Sequence, residues 1–170
     1  SLRDKKGKVM DENFVFQWSD EFSVNIEEVD EQHRTLVGLV NDLHVAIREH
    51  RGKTASRKVL DRLAEYTRTH FMLEESLMRL TRYPGFDVHR QQHEDLIAQV
   101  QSLQYKLDHE NAAITFELLN FLRKWLIQHI LESDKRFGAF FQKTEFSRIS
   151  SSLPPNVSAR PEKRAWWKFW

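Results

Sequence analysis

The sequence predicts an all-α fold: an antiparallel up-down-up-down four-helix bundle with an extended N-terminal arm and a flexible C-terminal tail. Three observations predict it. Glycine supplies only 5 of the 170 residues. Apolar residues recur at three- and four-residue steps rather than in alternation, which is the helical period. The stretches between breakers are long enough for helices of roughly 30–45 Å at about 1.5 Å per residue, and the short connections between them favour antiparallel neighbours.

The arm comes first. Phe14-Val15-Phe16-Gln17-Trp18 is too apolar to leave in water and too short for a helix of its own, so it should lie extended along the bundle. Residues 1–13 precede it as an extension, and the bundle should occupy 14–142. A first helix is expected from about Asp30 to His50, its inner stripe carrying Leu36, Val37, Val40, Leu43, Ala46 and Ile47, with Gly52 marking its end. The second runs from Thr54 or Ala55 through Leu60, Leu63, Tyr66, His70, Phe71 and Leu77 to the turn at Tyr83-Pro84-Gly85. The third spans Asp87 to Asp108 and the fourth Asn111 to Phe141. Residues 143–165, Ser-rich with Pro154-Pro155 and Pro161, read as a linker, and 166–170 as an aromatic tail.

Composition narrows the chemistry. Lys plus Arg number 26 and Asp plus Glu 25, a net charge of +1 that supplies no field for nucleic acid. Cysteine is absent, which excludes disulfides, thiolate metal sites, iron–sulfur clusters and thiol catalysis. Any metal must be held by nitrogen and oxygen. No apolar run reaches 18 residues and no apolar leader follows the basic N-terminus, so a cytoplasmic protein is expected.

Four histidine patterns stand out: His33 alone, His70-x-x-x-Glu74, His89-x-x-x-His93 and His129-x-x-x-x-Asp134. A four-residue step places two side chains one turn apart on one face, so each i,i+4 pair aims two donors at one volume. The five-residue step from His129 overshoots a turn by about 140°, so Asp134 must lean back to join it. His33 begins the first helix, His70 is late in the second, His89 early in the third and His129 late in the fourth. In an antiparallel bundle all four then lie at one end. A lone His-x-x-x-Glu is ordinarily a surface pair, and single histidines are ordinarily half-buried. Gathered at one level of a core, such costly polar groups call for a metal. Five imidazoles and two carboxylates exceed the four ligands of one tetrahedral zinc and suit iron or manganese, and two metals sharing both carboxylates fit the count.

These residues resemble the hemerythrin family, specifically its bacterial domains, over roughly residues 14 to 142. The matching text is Asp30-x-Gln32-His33-x-x-Leu36, His70-Phe71-x-x-Glu74-Glu75-x-Leu77-Met78, Tyr83-Pro84, His89-x-x-x-His93-x-x-Leu96 and His129-Ile130-x-x-x-Asp134. The resemblance implies two iron ions with an oxo or hydroxo bridge. One would be held by His89, His93 and His129, the other by His33 and His70, with Glu74 and Asp134 bridging. An open position on the second iron would take molecular oxygen. The function implied is reversible oxygen binding for transport, storage or delivery, without catalysis. An oxygen or redox sensor module is the alternative, as is a di-iron enzyme handling peroxide or nitric oxide. Ferritin-like di-iron enzymes use two Glu-x-x-His motifs and more carboxylate. The imidazole-rich set here should favour binding oxygen over activating it.

Leu36, Phe71, Trp125 and Leu126 neighbour the histidines and are expected to line a dry oxygen pocket. His44 lies on a face similar to His33 but ~16 Å away, which excludes it from the site. His50 and His109 read as solvated or capping residues, and Glu75 as a surface carboxylate or one that supports a ligand. Trp166, Trp167, Phe169 and Trp170, among Arg160, Lys163, Arg164 and Lys168, suggest docking to a membrane surface or a protein.

Overall fold

The computed structural model describes residues 16–50, 53–110 and 114–144. The expectations for residues 1–15 and 145–170, which include Phe14, Val15, most of the linker and the aromatic tail, lie outside the described residues.

Helix α1 spans Glu27–Arg48, α2 Lys53–Leu80, α3 Phe86–His109 and α4 Phe116–His129. A π-helical turn, Ile130–Asp134, joins α4 to α5, Lys135–Phe141. Helix α1 packs against α2 and α4, and α2 against α3, so the four long rods close around one core. That core includes Val29, Leu36, Leu43, Leu60, Met78, Ile130 and Phe137, all but inaccessible to solvent.

The helix starts differ from the expectation for local reasons. Helix α1 begins at Glu27 rather than Asp30, because Asp30 serves its first turn. Its carboxylate accepts from the Ser23 hydroxyl at 2.6 Å and the Val24 amide at 2.8 Å, tying the entering strand to the helix. Helix α4 begins at Phe116 rather than Asn111, because Thr115 is extended (φ −111°, ψ 165°) and its hydroxyl accepts the Leu118 amide as an N-cap.

The helix ends also depart from the pattern. A left-handed residue, His50 (φ 49°), closes α1, and Gly52 lies outside the described residues. At the end of α2 the left-handed residue is Arg82 (φ 53°). There the Tyr83 amide bonds Met78 O at 2.8 Å and the Arg82 amide bonds Arg79 O at 3.1 Å. Those two bonds form a Schellman cap, built without glycine. The cap sets the Tyr83 ring against Phe137 and Phe140, at 5.3 and 5.2 Å, and so fastens the α2–α3 corner to α5.

The described part of the arm is extended and docked. Phe16 is buried, its amide donating to Asn41 Oδ1 (2.9 Å) and its carbonyl accepting from Asn41 Nδ2 (2.8 Å). One asparagine on α1 thus satisfies both backbone groups of Phe16, which has no strand partner.

Candidate metal centre

The five predicted histidines and two carboxylates all converge at one end of the bundle. His33 comes from the second turn of α1, His70 and Glu74 from the last third of α2, and His89 and His93 from the start of α3. His129 ends α4, and Asp134 ends the π turn. All seven are buried, with Glu74, Asp134 and His33 fully excluded from solvent.

Asp134 reaches the site without leaning back. The Lys135 amide bonds Ile130 O, an i→i+5 bond, so this turn takes one residue more than an α-turn. The extra residue absorbs about 100° of the expected overshoot and sets Asp134 nearly under His129. The five-residue interval was the visible sign of this turn.

The Nε2 atoms of His89, His93 and His129 form a triangle with sides of 3.1, 3.0 and 3.0 Å. Protons cannot satisfy it. Each nitrogen is either a donor or an acceptor, so around a triangle at least one edge always sets like against like. His33 Nε2 faces His70 Nε2 at 3.1 Å, beside the triangle.

The carboxylates enter the same space. Asp134 Oδ1 lies 3.0 Å from His129 Nε2 and 3.1 Å from His89 Nε2, while its Oδ2 lies 3.2 Å from His33 Nε2. Glu74 Oε2 lies 3.2 and 3.4 Å from the Nε2 atoms of His89 and His93. Both oxygens of Glu74, both of Asp134 and His33 Nδ1 are buried without a hydrogen-bond partner of sound geometry among neutral imidazoles. Buried polar atoms left unpaired in this number are costly and require a ligand.

A cation meets that requirement. The donor atoms fall into two overlapping sets, Glu74, His89, His93, His129 and Asp134 in one, and His33, His70, Glu74 and Asp134 in the other, each within 4.8 Å. The triangle also discriminates between geometries. A nitrogen face 3.0–3.1 Å on edge fits an octahedral ion about 2.15 Å from each nitrogen, whereas a tetrahedral ion would need bonds of about 1.9 Å, shorter than the roughly 2.0–2.1 Å of metal–imidazole bonds. The three-histidine face therefore fits an octahedral ion and not structural zinc, and the second donor set beside it shares Glu74 and Asp134.

Electrostatics agree. Burial drives the His70 imidazole down to about 3, so it stands neutral with its lone pair free. Burial opposes ionisation of Glu74 and so does Asp134, yet the facing His89 and His93 hold it at about 2. Asp134 is likewise held well below its ordinary range: burial works against it, but His129, His33 and His89 outweigh burial. His89 goes the other way, raised to about 9, since Asp134 and Glu74 overcome the cost of burying its charge. Below about pH 9 the metal-free site therefore keeps a proton on His89 that a cation must expel. Uptake of Co(II) at neutral pH should release protons, and its affinity should climb with pH until about 9 and then level; a pH-stat titration of the metal-free chain checks this.

Leu36, Phe71, Trp125 and Leu126 do stand together. They line one apolar pocket with Val40, Leu60, Leu63, Ala64, Thr67, Leu96, Val100 and Leu122. Phe71 stacks on His93 (3.5 Å, 4°) and Trp125 on His129 (4.4 Å, 13°), so the pocket wall is also the back of two donor rings.

Two supporting contacts were not legible. His93 Nδ1 lies 3.1 Å from Glu75 Oε1, and His70 Nδ1 lies 3.0 Å from Gln32 Oε1. Glu75 had two readings open and takes the supporting one. Gln32 gave no signal beyond standing next to His33. The excluded histidines stay apart: His44 is buried edge-on to Phe116, and His109 Nδ1 pairs with Tyr105 O at the end of α3.

Comparison with known proteins agrees with this geometry. Residues 24–141 match the family model described as the hemerythrin HHE cation binding domain. A bacteriohemerythrin of Stenotrophomonas maltophilia is 34% identical over 122 residues, covering 71% of this chain and 78% of that protein. One from Methylococcus capsulatus is 34% identical over 119 residues, covering 69% and 89%. A wild-type hemerythrin crystal structure superposes with a TM-score of 0.72 at 31% identity, covering 75% of this chain and 98% of that one. Bundle, donor set and sequence lead to one assignment: the chain belongs to the hemerythrin family.

Proposed function

We propose that this protein binds molecular oxygen reversibly at a non-haem di-iron centre, for oxygen transport, storage or delivery rather than for catalysis. The observation that carries the reading is the division of Asp134, whose Oδ1 faces His89 and His129 while its Oδ2 faces His33. One carboxylate turned toward two imidazole sets is what a bridging ligand requires. In this reading His89, His93 and His129 would hold one iron, His33 and His70 the other, and Glu74 and Asp134 would serve both. When bound, the iron pair would supply the electrons for reversible oxygen binding.

The protein's part is to hold the donors and keep the site dry. Rings packed behind His93 and His129 fix their tilt, and hydrogen bonds at the outer nitrogens of His93 and His70 fix which nitrogen faces inward. The apolar pocket gives a water-sized molecule about 30 Å³ to move in. Its one hydroxyl, on Thr67, already donates to Leu63 O at 2.7 Å. Water needs two or more polar partners in such a space, and an apolar diatomic needs none. On this apolar side the site is kept from the solvent that would hasten loss of bound oxygen, while on the other side a more open polar pocket reaches His129 between Gln92, Gln128, Glu132 and Ser133. Five imidazoles against two carboxylates add less negative charge than the sets of ferritin-like enzymes, which supports binding over oxidation of a substrate.

No helix among the described residues is long and apolar enough to cross a membrane. Docking of the protein to a membrane surface or a partner through Trp166, Trp167, Phe169 and Trp170 stays a separate proposal, tested by fractionation of the chain with and without residues 160–170.

The deciding experiment is a spectroscopic cycle: the reduced, iron-loaded protein is exposed to oxygen and then stripped of it under argon. A charge-transfer band that grows and then vanishes is the expected result. Rapid one-way oxidation to the di-ferric form would refute carriage and favour redox sensing or catalysis.

A further inference from the structure

The two sets of donors are supported unequally. Each Nε2 that faces the site must present a lone pair to a cation, so the proton of that ring sits on Nδ1. On His93 that proton is donated to the Glu75 carboxylate, 3.1 Å away. On His70 it is donated to Gln32, which must turn its amide oxygen inward to receive it at 3.0 Å. Glu75 is mostly sheltered and is tied through Oε2 to Arg79 at 3.3 Å, so its position is fixed from both sides. One donor set thus has a charged acceptor behind it and the other a neutral one.

We propose that Glu75 and Gln32 set unequal electron donation at the two metal positions, making the three-histidine position the more easily oxidised. A carboxylate draws the Nδ1 proton outward and leaves more negative charge on Nε2, which favours the ion of higher charge. An amide oxygen does this weakly. Glu75 and Gln32 are therefore positioning residues that act through His93 and His70, neither facing the metals. This inference rests on the di-iron assignment above.

The test uses the full chain loaded with iron, with Glu75→Gln, Gln32→Glu and Glu75→Asp. Iron per chain is counted, and potentials are measured by optical titration against redox mediators. Two irons per chain are expected throughout. Glu75→Gln should raise the potential and Gln32→Glu should lower it. A tenfold change in the ratio of ferric to ferrous affinity is a shift of about 59 mV for one electron. Glu75→Asp should restore part of the wild-type value. A contact that only braces the fold would change melting temperature without ordered shifts of opposite sign. Two irons with wild-type potentials in both Glu75→Gln and Gln32→Glu would overturn the proposal while leaving the di-iron reading intact. Wild type binding other than two irons would overturn that reading and the proposal with it. Should Glu75→Gln fail to load iron, Gln32→Glu keeps the ligands and decides alone.

Discussion

Asp134→Ala should leave a folded helical protein that retains at most one iron per chain instead of two. Asp134 contacts three of the five inward imidazoles, at 3.0, 3.1 and 3.2 Å, and supplies two of the four carboxylate oxygens of the site. Without it, His33 and His70 keep a single carboxylate to share, too little charge and too few donors to hold an ion against water. The metal-free variant should be less stable than the metal-free wild type at neutral pH, because His129, His33 and His89 favour the ionised Asp134 and its removal leaves a protonated His89 with Glu74 alone. The gap should widen between the metal-loaded forms. A ligand at a hundred times its dissociation constant adds about 2.7 kcal/mol, and the variant forgoes that gain for the ion it loses. Emission analysis of iron per chain, with melting curves before and after loading, checks both halves. Two irons retained would show that Asp134 is not a shared ligand.

Gly138→Ala should destabilise the protein by about 3 kcal/mol, at the upper end for overpacking a core. A Cβ on Gly138 would come within 2.2 Å of Val24 O and 3.1 Å of the Val24 side chain. The first of these is backbone and cannot rotate away. Val24 is itself held by Asp30, and Gln142 bonds Asn25 O next to it, so the segment before α1 has little room to retreat. For a chain of this size about 2–4 °C is lost per kcal/mol, which places the fall in melting temperature near 10 °C. Thermal denaturation followed by circular dichroism measures it. A shift below about 2 °C would mean that the arm lifts off freely.

The parts of this molecule that could be foreseen are those set by local periodicity. An apolar stripe at 3.6-residue spacing specifies a helix whatever lies across from it, and an i,i+4 pair of donors shares a face in any helix. Hence α1 to α4 and the seven donors could be located to within a few residues. The caps were harder. His50 and Arg82 adopt left-handed backbone that glycine would take more readily, and neither residue type signals such a turn. Tertiary contacts hold Arg82 there, since its turn delivers Tyr83 to Phe137 and Phe140. Gln32 and Glu75 could not be assigned from the sequence, because each acts on a histidine of a different helix and no spacing along the chain encodes that distance. The π turn lay between these cases: its spacing was visible, but whether the side chain bends or the backbone widens depends on the competition between i→i+4 and i→i+5 bonds inside a packed core.

That turn matters to anyone wishing to rebuild this centre elsewhere. Ile130–Asp134 shifts everything after it out of phase with α4, so the rod that presents His129 to the metals presents Phe137 to Tyr83 and Gly138 to Val24 in the segment before α1. Grafting the donors onto an idealised bundle of uninterrupted helices would transfer the residues without the phase. Asp134 would point elsewhere, or the covering face would. A faithful transplant must carry the extra residue as an eighth component, one with no side chain in the site.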